Sequence, residues 1–333
     1  AAEYAGGFAG RATIGYGTTV AGENEIEGTL LGSLTQLIAE VAVPGREEEL
    51  NTLLSLSGMT PSEIRGCSVS GDHFETSATG DYAGGLTGQG DGVRITAWEN
   101  RKTEISGLSQ VTAENYAGGI AGSAVTANPI GILNTAIGIG SYLPFEVSGV
   151  NLIGADLNVH ADKKYASGGM GLILGGTIQE VSLEEIASVS AGNYAGGLAG
   201  RAGSGSLVKE GGLDLLGLGA VKVDNLLNLA DGVQIGISNT SVTGIQQGMT
   251  VDASGKAELT DGESILAGGF ISEAEGVQIE NAEISGLRQV TAQKQEGKES
   301  YAGGFIGRSQ TGGLAGIAQE GEDGSLTLPG ILD

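Results

Sequence analysis

Residues 4–10 read YAGGFAG, and nearly the same seven residues return as YAGGLTG from Tyr82, YAGGIAG from Tyr116, YAGGLAG from Tyr194 and YAGGFIG from Tyr301. Two looser copies, YASGGMG from Tyr165 and LAGGFIS from Leu266, complete the series. Taken alone, such a glycine-rich stretch fits a phosphate loop, a hinge or the corner of a structural repeat. Its recurrence decides between them. Self-similarity along a chain marks stacked units, each unable to bury its apolar face alone.

The flanks repeat as well. GVRITAWENRKTEISGLSQVTAENYAGGIAG (92–122) and GVQIENAEISGLRQVTAQKQEGKESYAGGFIG (276–307) share G-V-x-I, then I-S-G-L-x-Q-V-T-A, then Y-A-G-G-x-x-G. Val93 and Ile95, like Val277 and Ile279, place every second side chain on one face, the period of a half-buried strand. Ile284, Leu287 and Val290 do not keep one parity, which predicts a bend at Gly286. Asp91-Gly92, Asp231-Gly232 and Glu275-Gly276 precede V-x-I segments and read as turns. The apolar residue that follows the glycines (Phe8, Leu86, Ile120, Met170, Leu198, Phe270, Phe305) is expected in a core. Tyr4, Tyr82, Tyr116, Tyr165, Tyr194 and Tyr301 are expected to form one column, interrupted by Leu266. If the glycine pair keeps strand parity, the rings share the inward side with that apolar position.

Copies start at 4, 82, 116, 165, 194, 266 and 301, at intervals of 78, 34, 49, 29, 72 and 35 residues. Long and short alternate strictly. A short unit holds three strands of about five to six residues plus turns. A long unit carries an insert after the heptapeptide. The expected fold is all-β with helical inserts: a parallel β-solenoid, right-handed by the usual preference of parallel crossovers, with about seven three-stranded coils and α-helical insertions on alternate coils. At about 4.8 Å per coil the stack is roughly 30 Å tall. The whole of 1–333 reads as one solenoid cut from a longer protein, with inserts at about 26–60, 126–145 and 205–231 and the start of another at 312–333. In the first insert, Ile26, Leu30, Leu31, Leu34, Leu37, Ile38 and Val41 have helical spacing up to Pro44, and 47–56 reads as a second short helix. An exposed patch on these inserts, at Leu34, Arg46, Glu47 and Glu48, is the candidate binding surface.

Composition bounds the function. Glycine is 62 of 333 residues, with no Gly-X-Y period. Sixteen basic against 40 acidic residues give a net charge of −24, which repels nucleic-acid phosphates and anionic headgroups. No run is apolar for long enough to span a membrane. Cys67 is the single cysteine, so no internal disulfide forms, and it reads as a core thiol on a strand. His73 and His160 fall in unrelated units and read as solvated loop residues, and Asp156, Asp162 and Asp224 as turn residues. No phosphate-loop string or calcium nonapeptide occurs, GSGSL (203–207) lacks the final glycine of a nucleophile elbow, and Thr18-Thr19 is not repeated as an ice-binding array would require. No enzyme, metal or cofactor is expected. Arg11, Arg201 and Arg308 recur just after the heptapeptide and read as a solvated column pairing with acidic neighbours.

The run V-T-A-x-x-x-Y-A-G-G-x-x-G, with inserts rich in Leu and Gly, resembles the repeat arrays of very large cell-surface proteins of gut Firmicutes. It is also similar to the glycine-rich GLUG-type repeats of bacterial surface adhesins and immunoglobulin-directed proteases, where G-G-L-x-G recurs. The resemblance implies an extracellular module on a bacterial surface, monomeric, that binds a host protein. Immunoglobulin, held outside its antigen site as by a B-cell superantigen, is the partner the resemblance implies. A passive stalk displaying a distal domain is the alternative, and a carbohydrate-active β-helix enzyme a weaker one.

Overall fold

The computed structural model describes residues 2–13, 15–16, 59–125, 145–203, 235–254, 264–310, 319–320 and 326–327. The predicted helical inserts, and with them Leu34, Arg46, Glu47 and Glu48, lie outside the described residues apart from a few boundary positions. Among the described residues every regular element is a strand.

Two sheets contain seven strands each, parallel throughout. The first is built from the start of each heptapeptide: Tyr4–Gly6, Tyr82–Gly84, Tyr116–Gly118, Tyr165–Ser167, Tyr194–Gly196, Ile265–Gly268 and Ser300–Gly303. The second takes up the chain after the glycines: Ala9–Thr13, Thr87–Asp91, Ala121–Val125, Met170–Leu174, Ala199–Gly203, Ile271–Glu275 and Ile306–Gln310. A third, ten-stranded sheet holds the long strands, among them Thr103–Ala113, Glu146–Ala161 and Gly176–Ala191. Tyr4 pairs with Tyr82, Tyr82 with Tyr116, Tyr116 with Tyr165 and Tyr165 with Tyr194, so like positions stack on like. The arrangement is consistent with a parallel β-solenoid.

The two central glycines have separate causes. A Cβ on Gly118 would stand 1.9 Å from the Ala121 carbonyl oxygen of its own unit, and one on Gly119 would stand 2.1 Å from the Gly168 carbonyl oxygen of the next. The pair lets the chain turn from first sheet to second while neighbouring backbones stay at hydrogen-bond distance. The predicted bend at Gly286 is present, with φ 63° between Val277–Ser285 and Leu287–Ala292. Gly92 and Gly276 turn at φ 62° and 61°, while Asp231-Gly232 lies outside the described residues.

A further corner inside the third sheet was not foreseen. Gly66, Gly149, Glu180, Asn239 and Asn281 take φ of 52°, 61°, 53°, 49° and 48°. Register places Gly149 opposite Glu180, and Asn239 opposite both Glu180 and Asn281. Asparagine tolerates this left-handed conformation better than most residues. It also laces the column, because Asn281 Nδ2 donates to Asn239 Oδ1 at 2.6 Å.

The core runs the length of the stack. Leu86, Ile105, Leu108, Ile120, Leu152, Leu157, Ile178, Leu183, Leu198 and Phe270 are fully buried in it. Each such side chain contributes about 1.5–3 kcal/mol relative to exposure. Two expectations need correction. Phe8 is 54% exposed; its N–H donates to the Leu86 carbonyl of the neighbouring rung, and among the described residues no rung lies on its other side. Met170 is buried but pairs with Ala121 and Ala199, one place later than expected. Gly169 occupies the position of Ile120, and a Cβ there would meet the Leu198 and Leu183 side chains, which fill its space.

Candidate functional site

The tyrosines face outward. The alanines after Tyr82, Tyr116, Tyr165 and Tyr194 belong to the main core and Ala5 packs against it, whereas Tyr165, Tyr194 and Leu266 form a separate cluster with Tyr116 and Leu172 packed against it. Successive rings from Tyr4 to Tyr194 stack at centroid distances of 5.3, 4.7, 5.4 and 4.8 Å, with interplanar angles of 20° or less. Tyr194 then pairs with Leu266, and Leu266 with Tyr301, which is 43% exposed. The ladder lines the angle between the first two sheets. There the second sheet presents one outward column: Arg11, Gln89, Ser123, Leu172, Arg201, Glu273 and Arg308, in register.

The last three members of that column form a charge sandwich. The Glu273 side chain is 4% exposed. Arg201 Nε lies 3.2 Å from Glu273 Oε2, while its Nη2 donates to Glu275 Oε2 at 3.0 Å. From the other side, Arg308 Nη2 and Nε donate to Glu273 Oε1 at 2.5 and 3.1 Å, and Gln310 Nε2 donates to the same oxygen at 3.1 Å. Burial opposes charge on Arg201, but the neighbouring Tyr165 and Glu273 outweigh it and raise its pKa. The arginines were expected to be solvated. Arg11 is, facing Asp91 at 3.5 Å, but Arg201 and Arg308 are partly buried on Glu273. The missed residue is Glu273, and an R-E-R run at one repeat position was its signal.

Burial pushes the Tyr194 phenol up to about 12, assisted by Glu273 and Tyr165, and burial beside Tyr82 and Tyr165 raises Tyr116 as well. An unfolded tyrosine titrates near 10. Above that pH the folded chain holds protons that the unfolded chain has released, so stability falls as pH rises. Stabilisation from the ladder is full below pH about 10 and is lost as pH climbs through about 12. In an alkaline titration, the part of the phenolate absorbance that belongs to Tyr116 and Tyr194 should rise only together with loss of the strand circular-dichroism signal. Titration of all eight tyrosines near 10 with the strand signal intact would contradict this.

The other chemistry-bearing residues do not converge. His160, expected in a loop, lies within Glu146–Ala161, with Nδ1 2.8 Å from Ser190 Oγ and Nε2 3.0 Å from Asp162 Oδ1. The His160 and Asp162 side chains are 47% and 65% exposed, so the contact chain lies on an open strand face and not in the dry, shaped setting that acyl transfer uses. His73, also expected in a loop, belongs to Ser68–Ser77 at φ 58°. Cys67 is half-buried just before that strand, with Sγ 3.4 Å from the Arg65 carbonyl oxygen. Asp156 is a kink residue at φ 54° inside Glu146–Ala161, and Asp224 lies outside the described residues. Among the described residues no three His, Cys, Asp or Glu side chains gather into a metal-holding group.

No protein-family model matches the chain, and no curated protein matches it. Among solved structures it is similar to the crystal structure of a candidate immunoglobulin A1 protease from Bacteroides ovatus. Identity is 14%, over 80% of this chain and 74% of that one, with a TM-score of 0.30. A likeness of that size carries no argument about activity.

Proposed function

We propose that this chain is a seven-coil β-solenoid module of a bacterial cell-surface adhesin that engages a host protein through a ridge of inserts along one edge. One observation carries the reading. The long segments after Thr13, Val125 and Gly203 leave from positions in register through Asp91 and Leu174, which themselves turn directly into the third sheet. Departure points therefore recur every second rung, about 10 Å apart, which suits the 8–10 Å at which helices pack side by side. The described strands thus hand over to the segments with the apolar spacing of helices at points of one edge on a regular pitch, as a composite binding face requires. The net charge of −24 favours partners with basic surfaces.

The test is to immobilise the folded chain and probe it with serum, mucus and purified immunoglobulins. A second arm removes residues 20–57, which leaves the antiparallel pair Gly15–Tyr16 and Met59–Thr60 joined by a short hairpin. The expected result is saturable binding by the intact chain and at least about tenfold weaker binding after removal, a loss of 1.4 kcal/mol or more. No binding above background by a chain with intact strand signal would exclude the adhesin reading and leave the stalk, which the continuous core and in-register stacking also suit.

A further inference from the structure

One corner breaks the repeat. In the third sheet Asn281 alone makes the left-handed turn between Glu280 and Ala282. In the sister unit the corresponding step, from Thr96 to Thr103, takes the six residues 97–102. Four of these close on themselves. Trp98 N–H donates to the Arg101 carbonyl and Arg101 N–H donates to the Trp98 carbonyl, both at 2.9 Å, with Glu99 at φ 54° in the tip. The excursion adds nothing to the core, and it leaves Trp98, the chain's single tryptophan, 52% exposed. A solenoid gains no stability by displaying an indole in water.

The corner carries four basic residues, Arg65, Arg94, Arg101 and Lys102, interleaved with Glu63, Glu99, Glu104 and Glu146. The Arg65 guanidinium, from the neighbouring rung, lies 5.6 Å from the indole centroid. Glu63 takes up the charge of Arg65 at 2.6 Å and approaches Arg94 at 3.7 Å, while Glu146 lies 3.9 Å from Arg94. Among the described residues Lys102 Nζ donates to a neutral partner, Asn151 Oδ1, at 3.2 Å. Among the described residues Arg101 has no carboxylate within salt-bridge distance, although the exposed Glu99 sits in the same tip. An open indole therefore shares the 97–102 tip with two basic residues, Arg101 and Lys102, that have no carboxylate within salt-bridge distance among the described residues.

We propose that the 97–102 tip is a binding site for a carboxylated glycan, with a sugar ring packed by its C–H face on Trp98 and the carboxylate held by Arg101 and Lys102. Guanidinium forms charge-assisted, forked hydrogen bonds with carboxylate. A tip of six residues suits one or two sugar residues better than a protein surface, which needs about 800 Å² per partner. The site deepens the adhesion reading and rests on it for biological context, but it lies at a different corner from the insert edge, so the two are tested separately.

Because Trp98 is the only tryptophan, its fluorescence in the intact chain reports this site alone. Titration with sialyllactose is expected to give a saturable change in Trp98 emission, and the same titration with lactose none. Arg101→Glu should weaken the response about tenfold or more, with the strand signal unchanged because the residue is exposed. No saturable change with sialyllactose, or an equal change with lactose, overturns the proposal. A change in Trp98 emission with immunoglobulin but not with sialyllactose assigns the tip to a protein partner and also overturns it. Either outcome leaves the deletion of residues 20–57 to decide the adhesion reading.

Discussion

Replacing Glu273 by glutamine is expected to lower unfolding stability by about 3 kcal/mol, the lower end of the cost of breaking a buried ion pair from one side. The side chain is almost fully enclosed and lies between two guanidinium groups in one column. Glutamine keeps the shape and removes the charge, which leaves Arg201 and Arg308 facing each other across one rung. Their partial exposure, 34% and 22%, lets water relieve part of the repulsion and keeps the loss at the low end. Replacing Glu273, Arg201 and Arg308 together by leucine should cost much less, since desolvation of the charges is then avoided. Urea unfolding followed by circular dichroism measures both. A loss below about 0.5 kcal/mol for Glu273→Gln, the size of an ordinary surface substitution, would show that the sandwich is electrostatically idle.

The second large effect contrasts two glycines at the same motif position. Gly119→Ala places a Cβ 2.1 Å from the Gly168 carbonyl oxygen and 2.8 Å from Leu152 Cδ1. Neither that backbone nor the fully buried Leu152 can yield without disturbing the rungs beside it. A loss above about 4 kcal/mol, or failure to fold, is expected. Gly304→Ala makes the same chemical change in the rung of Ser300–Gly303, where no atom of the described residues lies within 4 Å of the new Cβ. Its effect should stay within about 0.5 kcal/mol, or become a small gain from the stiffer unfolded chain. Equal losses at both sites would mean that the glycines serve local chain conformation and not the approach of the next rung.

Much of the architecture was legible in sequence because a repeat displays its own register. The heptapeptides marked where each rung's strands fall, and the parity break at Ile284, Leu287 and Val290 located the bend at Gly286. The corner column of Gly149, Glu180, Asn239 and Asn281 stayed hidden, since its members differ in chemistry and share only a backbone conformation. Glu273 stayed hidden for a related reason. An acidic residue among 40 on a chain of net charge −24 reads as solvated surface until register puts an arginine on either side. His160 read as a loop residue because charged neighbours in HADKK masked a strand that ends at Ala161.

By itself the sequence determined that like residues recur at like places, and hence that strands would pair in parallel with tyrosine on tyrosine. That follows because in-register stacking of identical segments satisfies the backbone and aligns the side chains in one step. Only the tertiary structure decided which side of the sheet those tyrosines occupy. The glycine pair turns the chain without keeping strand parity, so the alanines enter the core and the rings line the outer angle with Arg201 and Glu273. It decided also that Phe8, chemically equivalent to Leu86 and Ile120, lies open to water. Burial in a stack depends on what the neighbouring rungs lay over a side chain, which the residue itself does not encode.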